Sequence, residues 1–189
     1  MTPFLLHLLR HGAPERVGLM LGRTDCPPIV GGIRACVERA GSLAVEAVVG
    51  SDLSRAARAA EAVGDALGLT ATTDPRWREI DFGDWDGLAP HAIDTAALSL
   101  FWQDPDANPP PGGERWSALV ARIAGAIADL PARDTLVVTH GGAMRAALAH
   151  LCGLDHRAAW AFDLPYAALL TLRVWPGDPL SAQIAGLRT

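Results

Sequence analysis

Lysine is absent: all 16 basic residues of this 189-residue chain are arginine. That excludes a catalytic Schiff-base lysine and a Walker-type phosphate loop, which requires one. Any anion site must therefore be built from arginine, histidine and backbone amides. Cysteine is scarce. Cys26, Cys36 and Cys152 are scattered, odd in number and without CxxC spacing, so they read as reduced packing residues of a cytoplasmic protein. No apolar run reaches the length of a membrane span. The first residues lack the basic stretch, long apolar core and cleavage site of a secretory signal. There is no basic surplus either: the net charge is -5, which argues against a nucleic-acid partner. No His/Cys/Asp cluster has metal-ligand spacing, and neither a metal nor a cofactor is expected.

Apolar residues are plentiful, at 50% of the chain, enough for one domain over residues 1–189 with a full core. Residues 4–9 form a short apolar run followed by Gly12, Pro14 and Gly18, which suits a buried strand feeding a loop. The Gly/Pro-rich loop 12–32 is too long for a passive connection. Helical spacing follows over 32–43, a strand over 47–50, and a helix running to about 67, with Ser51 to Ser54 offering N-cap oxygens and Gly68 as C-cap. Residues 69–73 read as a brief strand, and 75–90 as an irregular stretch dense in charge and tryptophan. A weak helix over 91–102, a proline-rich loop over 104–113 and a strongly periodic helix over 114–130 follow. The β-branched strand 135–139 passes through His140-Gly141-Gly142 into a helix over 143–152. Two strands, 166–175 and 180–187, flank a Pro-Gly-Asp-Pro turn. Strands alternating with helices predict an α/β fold whose central sheet is mostly parallel, with an antiparallel strand at the C-terminal end.

Two strands thus end in histidine-glycine, at His11-Gly12 and at His140-Gly141. If they are neighbours, both imidazoles reach one pocket at the carboxyl edge of the sheet, where open α/β sheets place their sites. Arg10 stands beside His11, and Arg55, in the first turn of its helix, reaches the same edge. The helix beginning near Gly141 adds backbone N–H groups that favour an anion. Two arginines and two histidines around one point form a phosphate cage.

Four blocks in this order resemble the histidine phosphatase superfamily, the phosphoglycerate mutase-like fold: Leu9-Arg10-His11-Gly12, Ser51 to Ala56, Glu79 to Gly87, and Val138 to Gly142. Pro111-Gly112-Gly113-Glu114 is similar to a fifth family stretch, with Arg115 in place of its serine. The resemblance implies a three-layer sandwich. It also implies His11 as the nucleophile that forms a phosphohistidine, Arg10, Arg55 and His140 as phosphate ligands, and Glu79 as proton donor and acceptor. Asp81, Asp84 and Asp86 lie close by as rival carboxylates. Val17 and Ala59 stand where the family often carries asparagine and threonine. Arg23 and Arg78 are candidate contacts to a second anionic group, while Trp77, Phe82 and Trp85 read as packing.

The expected function is a phosphomonoesterase acting on a small phosphorylated metabolite, without metal. Leu21-Gly22-Arg23-Thr24-Asp25 followed by a proline looks most like the α-ribazole phosphatase branch, which serves cobalamin synthesis, a look that many broad-specificity sugar-phosphate phosphatases share. A phosphoglycerate mutase and a non-catalytic phospholigand-binding module are the rivals. Tryptophan-rich loops and an apolar C-terminal hairpin leave room for a homodimer.

Overall fold

The computed structural model describes residues 2–189; Met1, the first residue of the expected 1–189 domain, lies outside them. A six-stranded sheet runs through the molecule. β1 (Phe4–Arg10), β2 (Ala47–Gly50), β3 (Ala71–Thr73) and β4 (Thr135–Thr139) are parallel and lie in the order β3-β2-β4-β1. Beyond β1, β5 (Leu169–Trp175) and β6 (Ser181–Arg188) form the expected hairpin, with β5 antiparallel to β1. The predicted α/β class and the mostly parallel sheet are what the molecule has.

Layering follows from burial on both faces. Every residue of β4 is buried, as a central parallel strand requires. Val137 points to the face covered by α3 (Thr95–Gln103), α4 (Trp116–Ala128) and α5 (Gly141–Cys152). Leu136 and Val138 point to the face covered by α1 (Val30–Ala40) and α2 (Ser54–Leu67). A short α6 (His156–Trp160) packs beside α5. Among the described residues no helix is long and apolar enough to cross a membrane.

Several local expectations shift. Leu53, not a hydroxyl or carboxylate residue, is the N-cap of α2, and its side chain caps nothing. The N–H of Ser54 is met instead by Asp25 Oδ1 at 2.7 Å, so the long loop after β1 supplies the cap. Gly68 closes α2 in the left-handed region at φ 71°, as its position predicts. The helix expected over 91–102 begins later, at Thr95, because a 3-10 turn (Pro90–Ala92) precedes Asp94, whose Oδ1 accepts from the Ala97 N–H at 2.9 Å. β5 starts at Leu169 rather than 166, because residues 166–168 turn back onto the end of β1: the Arg10 N–H donates to the Ala168 carbonyl at 2.9 Å.

The strand order makes β1 and β4 neighbours. Arg10 is in register with Thr139, and the His11 N–H donates to the Thr139 carbonyl at 2.8 Å. The two histidine-glycine strand ends therefore lie side by side. Gly12 is needed there, since a Cβ at that position would sit 2.0 Å from the Gly32 carbonyl oxygen.

Candidate active site

His11 and His140 lie at the carboxyl ends of β1 and β4 with ring centroids 5.0 Å apart, edge to face. Both are buried. His11 Nδ1 is 2.7 Å from the Gly12 carbonyl oxygen. A carbonyl only accepts, so Nδ1 carries the hydrogen, and the neutral ring keeps its lone pair on Nε2. Burial pushes the His11 pKa down to about 3, assisted by the Arg55 and Arg10 charges and opposed by the Gly12 carbonyl. His140 is likewise held well below the usual histidine range, by burial first and then by Arg55, His11 and Arg10. Its two ring nitrogens are buried and have no hydrogen-bond partner among the described residues.

Arg55 reaches this point from the first turn of α2 and is fully buried. Its Nη2 donates to the Leu21 and Gly22 carbonyls at 2.8 and 2.9 Å, and its Nη1 to the Thr24 carbonyl at 2.9 Å. It thereby pins the loop after β1 over the sheet edge. Asp86 holds the same loop, accepting from the Gly22 and Thr24 N–H groups at 2.8 and 2.7 Å. Arg10 Nη1 donates to the Leu164 carbonyl at 2.6 Å, and its guanidinium lies 4.4 Å over the ring of Tyr166.

Glu79 comes from the irregular stretch before α3. Its Oε2 accepts from the Gly142 N–H at 3.1 Å, and its Oε1 from the Ile80 N–H at 2.9 Å, so the carboxylate sits at the N-terminus of α5. Arg122, on α4, fixes the backbone behind it, donating to the carbonyls of Arg76, Arg78 and Glu79 at 2.6, 3.0 and 3.2 Å. Glu114 completes this brace through Arg122, at 2.9 and 2.7 Å.

Arg10, His11, Arg55 and Glu79 line one pocket of about 180 Å³. Of the four clustered carboxylates only Glu79 lines it. Asp81 is engaged by Arg23 at 2.6 Å, and Asp86 by the loop. Arg23 and Arg78 do not line it either. Arg78 donates to both oxygens of Asp52, at 2.7 and 2.5 Å, so each of these arginines already faces a carboxylate. Trp77, Phe82 and Trp85 are buried as packing residues, though the ring of Phe82 also forms part of the pocket wall.

Two residues at the site were not expected. Tyr166, the chain's one tyrosine, sits 5.5 Å from the His11 ring. Arg145 lies one helical turn after Gly141, a spacing that could have flagged it.

Two measurements test this arrangement. A Cβ at position 142 would stand 2.1 Å from Glu79 Oε1. Gly142→Ala should therefore displace the carboxylate and lower kcat by about 100-fold with the fold intact; unchanged kcat would contradict the placement of Glu79. The second concerns pH. The unfolded chain binds protons at its histidines below about pH 6.5, whereas folded His11 resists protonation to about 3. Stability should fall as the pH drops from about 6.5 to 5, before carboxylates contribute. His11→Ala should reduce the slope of Tm against pH in that window without abolishing it, since His140 is depressed too, and an unaltered slope would count against the buried neutral His11.

The class this defines is a doubly covered α/β sheet with two buried histidines, the buried Arg55 and the half-buried Arg10 gathered at its carboxyl edge. The chain belongs to the histidine phosphatase superfamily: the profile of its branch 1 matches residues 6–185. A glucosyl-3-phosphoglycerate phosphatase of Mycolicibacterium vanbaalenii is 33% identical over 167 residues, 79% of this chain and 74% of that one. The native structure of a mycobacterial glucosyl-3-phosphoglycerate phosphatase superposes with a TM-score of 0.86 at 28% identity, over 97% of this chain and 98% of that chain. An Escherichia coli protein provisionally described as an alpha-ribazole-5'-P phosphatase superposes with a TM-score of 0.84 at 25% identity, over 100% and 97%.

Proposed function

We propose that the chain is a phosphomonoesterase that works through a phosphohistidine at His11 and acts on a small phosphorylated metabolite. The observation that carries this reading is His140: an imidazole with no exposed surface and no protein hydrogen bond, packed on a second buried imidazole beside Arg10 and Arg55. Burying polar atoms without partners is costly, and a bound phosphoryl group would accept from the one N–H that the neutral ring carries.

The chemistry follows from the positions. Neutral His11 attacks phosphorus in line through Nε2, the P–N bond forms and the ester P–O bond breaks. Arg10 and Arg55 offset the charge on the equatorial oxygens, and the neutral His140 ring donates its one N–H to them. Arg55 brings Nε and one Nη1 hydrogen to this task, its other donors being held by the loop. Protonated Glu79 gives the leaving alkoxide its proton. The resulting carboxylate then takes a proton from the water that hydrolyses the phosphohistidine. Charge compensation is met by the guanidinium groups of Arg10 and Arg55, so turnover should be unaffected by EDTA. We place the reaction in the cytoplasm, where the free thiols of Cys26, Cys36 and Cys152 stay reduced.

For the substrate we keep α-ribazole 5'-phosphate, glucosyl-3-phosphoglycerate and a broad range of small phosphate esters. Phosphate release from that panel, with phosphoglycerates and a His11→Ala control, tests the reading. Release by the wild type that is lost in the variant supports it. Equal inactivity of both proteins would turn attention to a phospholigand-binding module, and interconversion of phosphoglycerates without release to a mutase.

A further inference from the structure

We propose that the alcohol half of the substrate is an aromatic ring bearing an acidic oxygen, received in the cavity enclosed by α3 to α6 and recognised by Arg145. The inference rests on the phosphatase reading above and extends it to the leaving group.

A second cavity of about 240 Å³ adjoins the catalytic pocket and shares Arg10, Glu79 and Phe82 with it. Whatever is esterified to a phosphate at His11 has this space beside it. Four further aromatic rings line it, from Phe101, Trp102, Trp116 and Trp160. They lean on one another edge to face, with centroids 4.8 Å apart for Phe101–Trp102, 5.8 Å for Trp102–Trp160 and 5.3 Å for Trp116–Trp160. A cavity of about 150 Å³ accommodates one benzene, so this one has room for a substituted ring.

Its charged side chains are Arg10, Glu79 and Arg145. The first two are already assigned to the phosphate and the proton. Arg145 is held in place by the Gly141 and Phe162 carbonyls, at 3.2 and 3.0 Å, and lies 5.2 Å over the Trp160 ring. Its Nε is buried and has no partner among the described residues. One fixed guanidinium among five rings suits a flat apolar group with one carboxylate or similar oxygen. A polyhydroxylated sugar would bury several hydroxyls against carbon with one unassigned guanidinium to meet them.

The test compares benzyl phosphate, 4-carboxybenzyl phosphate and glycerol 2-phosphate, all esters of alkyl alcohols, so that leaving-group reactivity does not decide the order. The benzyl ester should exceed the glycerol ester in kcat/KM by about tenfold or more, and the carboxybenzyl ester should gain about tenfold again. Arg145→Gln should remove the second advantage and keep the first. Trp102→Ala, on the half-exposed rim, should cut the benzyl advantage while sparing glycerol 2-phosphate. Equal kcat/KM for the three esters, or Arg145→Gln lowering all three alike, would overturn the proposal and leave the phosphatase reading standing. If no ester is turned over, the phosphatase reading is decided by the substrate panel above. The cavity is then judged by calorimetry: benzylphosphonate binding tighter than methylphosphonate supports it, and equal affinities overturn it.

Discussion

His11→Ala is expected to lower phosphatase turnover by about 10⁴-fold or more, because the variant has no atom to form the phosphoenzyme. The loss should lie in kcat. Arg10, Arg55 and His140 remain, so inorganic phosphate should still bind, and stopped turnover with retained phosphate affinity would separate a missing nucleophile from a collapsed site. The fold should survive, since His11 makes one side-chain hydrogen bond, to the next residue's carbonyl. The same variant removes one of the buried imidazoles that resist protonation, so it should lose less stability on mild acidification than the wild type does, His140 supplying the rest. A variant that kept even a tenth of wild-type turnover would contradict the role given to His11.

Glu79→Gln is expected to lower kcat on alkyl phosphates by about 10²–10⁴-fold, the usual range for a general acid–base group. The amide keeps the shape but carries no acidic proton, and it replaces one of the two oxygens that accept from the Gly142 and Ile80 N–H groups. The substrate dependence is the diagnostic part. A nitrophenolate needs no proton to leave, so 4-nitrophenyl phosphate should still phosphorylate the variant. Hydrolysis of the phosphoenzyme, which needs the carboxylate as base, should then be slow. A burst of nitrophenolate followed by a slow steady state is therefore expected; an equal loss for both substrate types, with no burst, would assign Glu79 a merely structural role.

Much of this was legible in the chain because it was written in short local patterns. The apolar run Phe4 to Leu9 and the β-branched Thr135 to Thr139 could only be buried strands, and each ends in histidine and glycine. That both imidazoles share one edge needed the sheet order, which sets β4 beside β1. Contacts between distant segments were not legible. Asp25 caps α2 across 29 residues, and Tyr166 meets Arg10 only because residues 166–168 fold back before β5. Arg23 and Arg78 looked free in the sequence; in three dimensions Asp81 and Asp52 answer them. The aromatic cavity was hidden for the same reason, since Phe101, Trp102, Trp116 and Trp160 come from three separate helices.

The central claim is the covalent phosphohistidine, and one measurement bears on it most directly. Wild type and Glu79→Gln are mixed with 4-nitrophenyl phosphate, quenched within milliseconds and digested at alkaline pH, where phosphohistidine survives. Mass spectrometry should find the phosphoryl group on the peptide carrying His11, with higher occupancy in Glu79→Gln because its second step is slowed. Steady turnover with no phosphoryl group on His11 in either protein would contradict the mechanism.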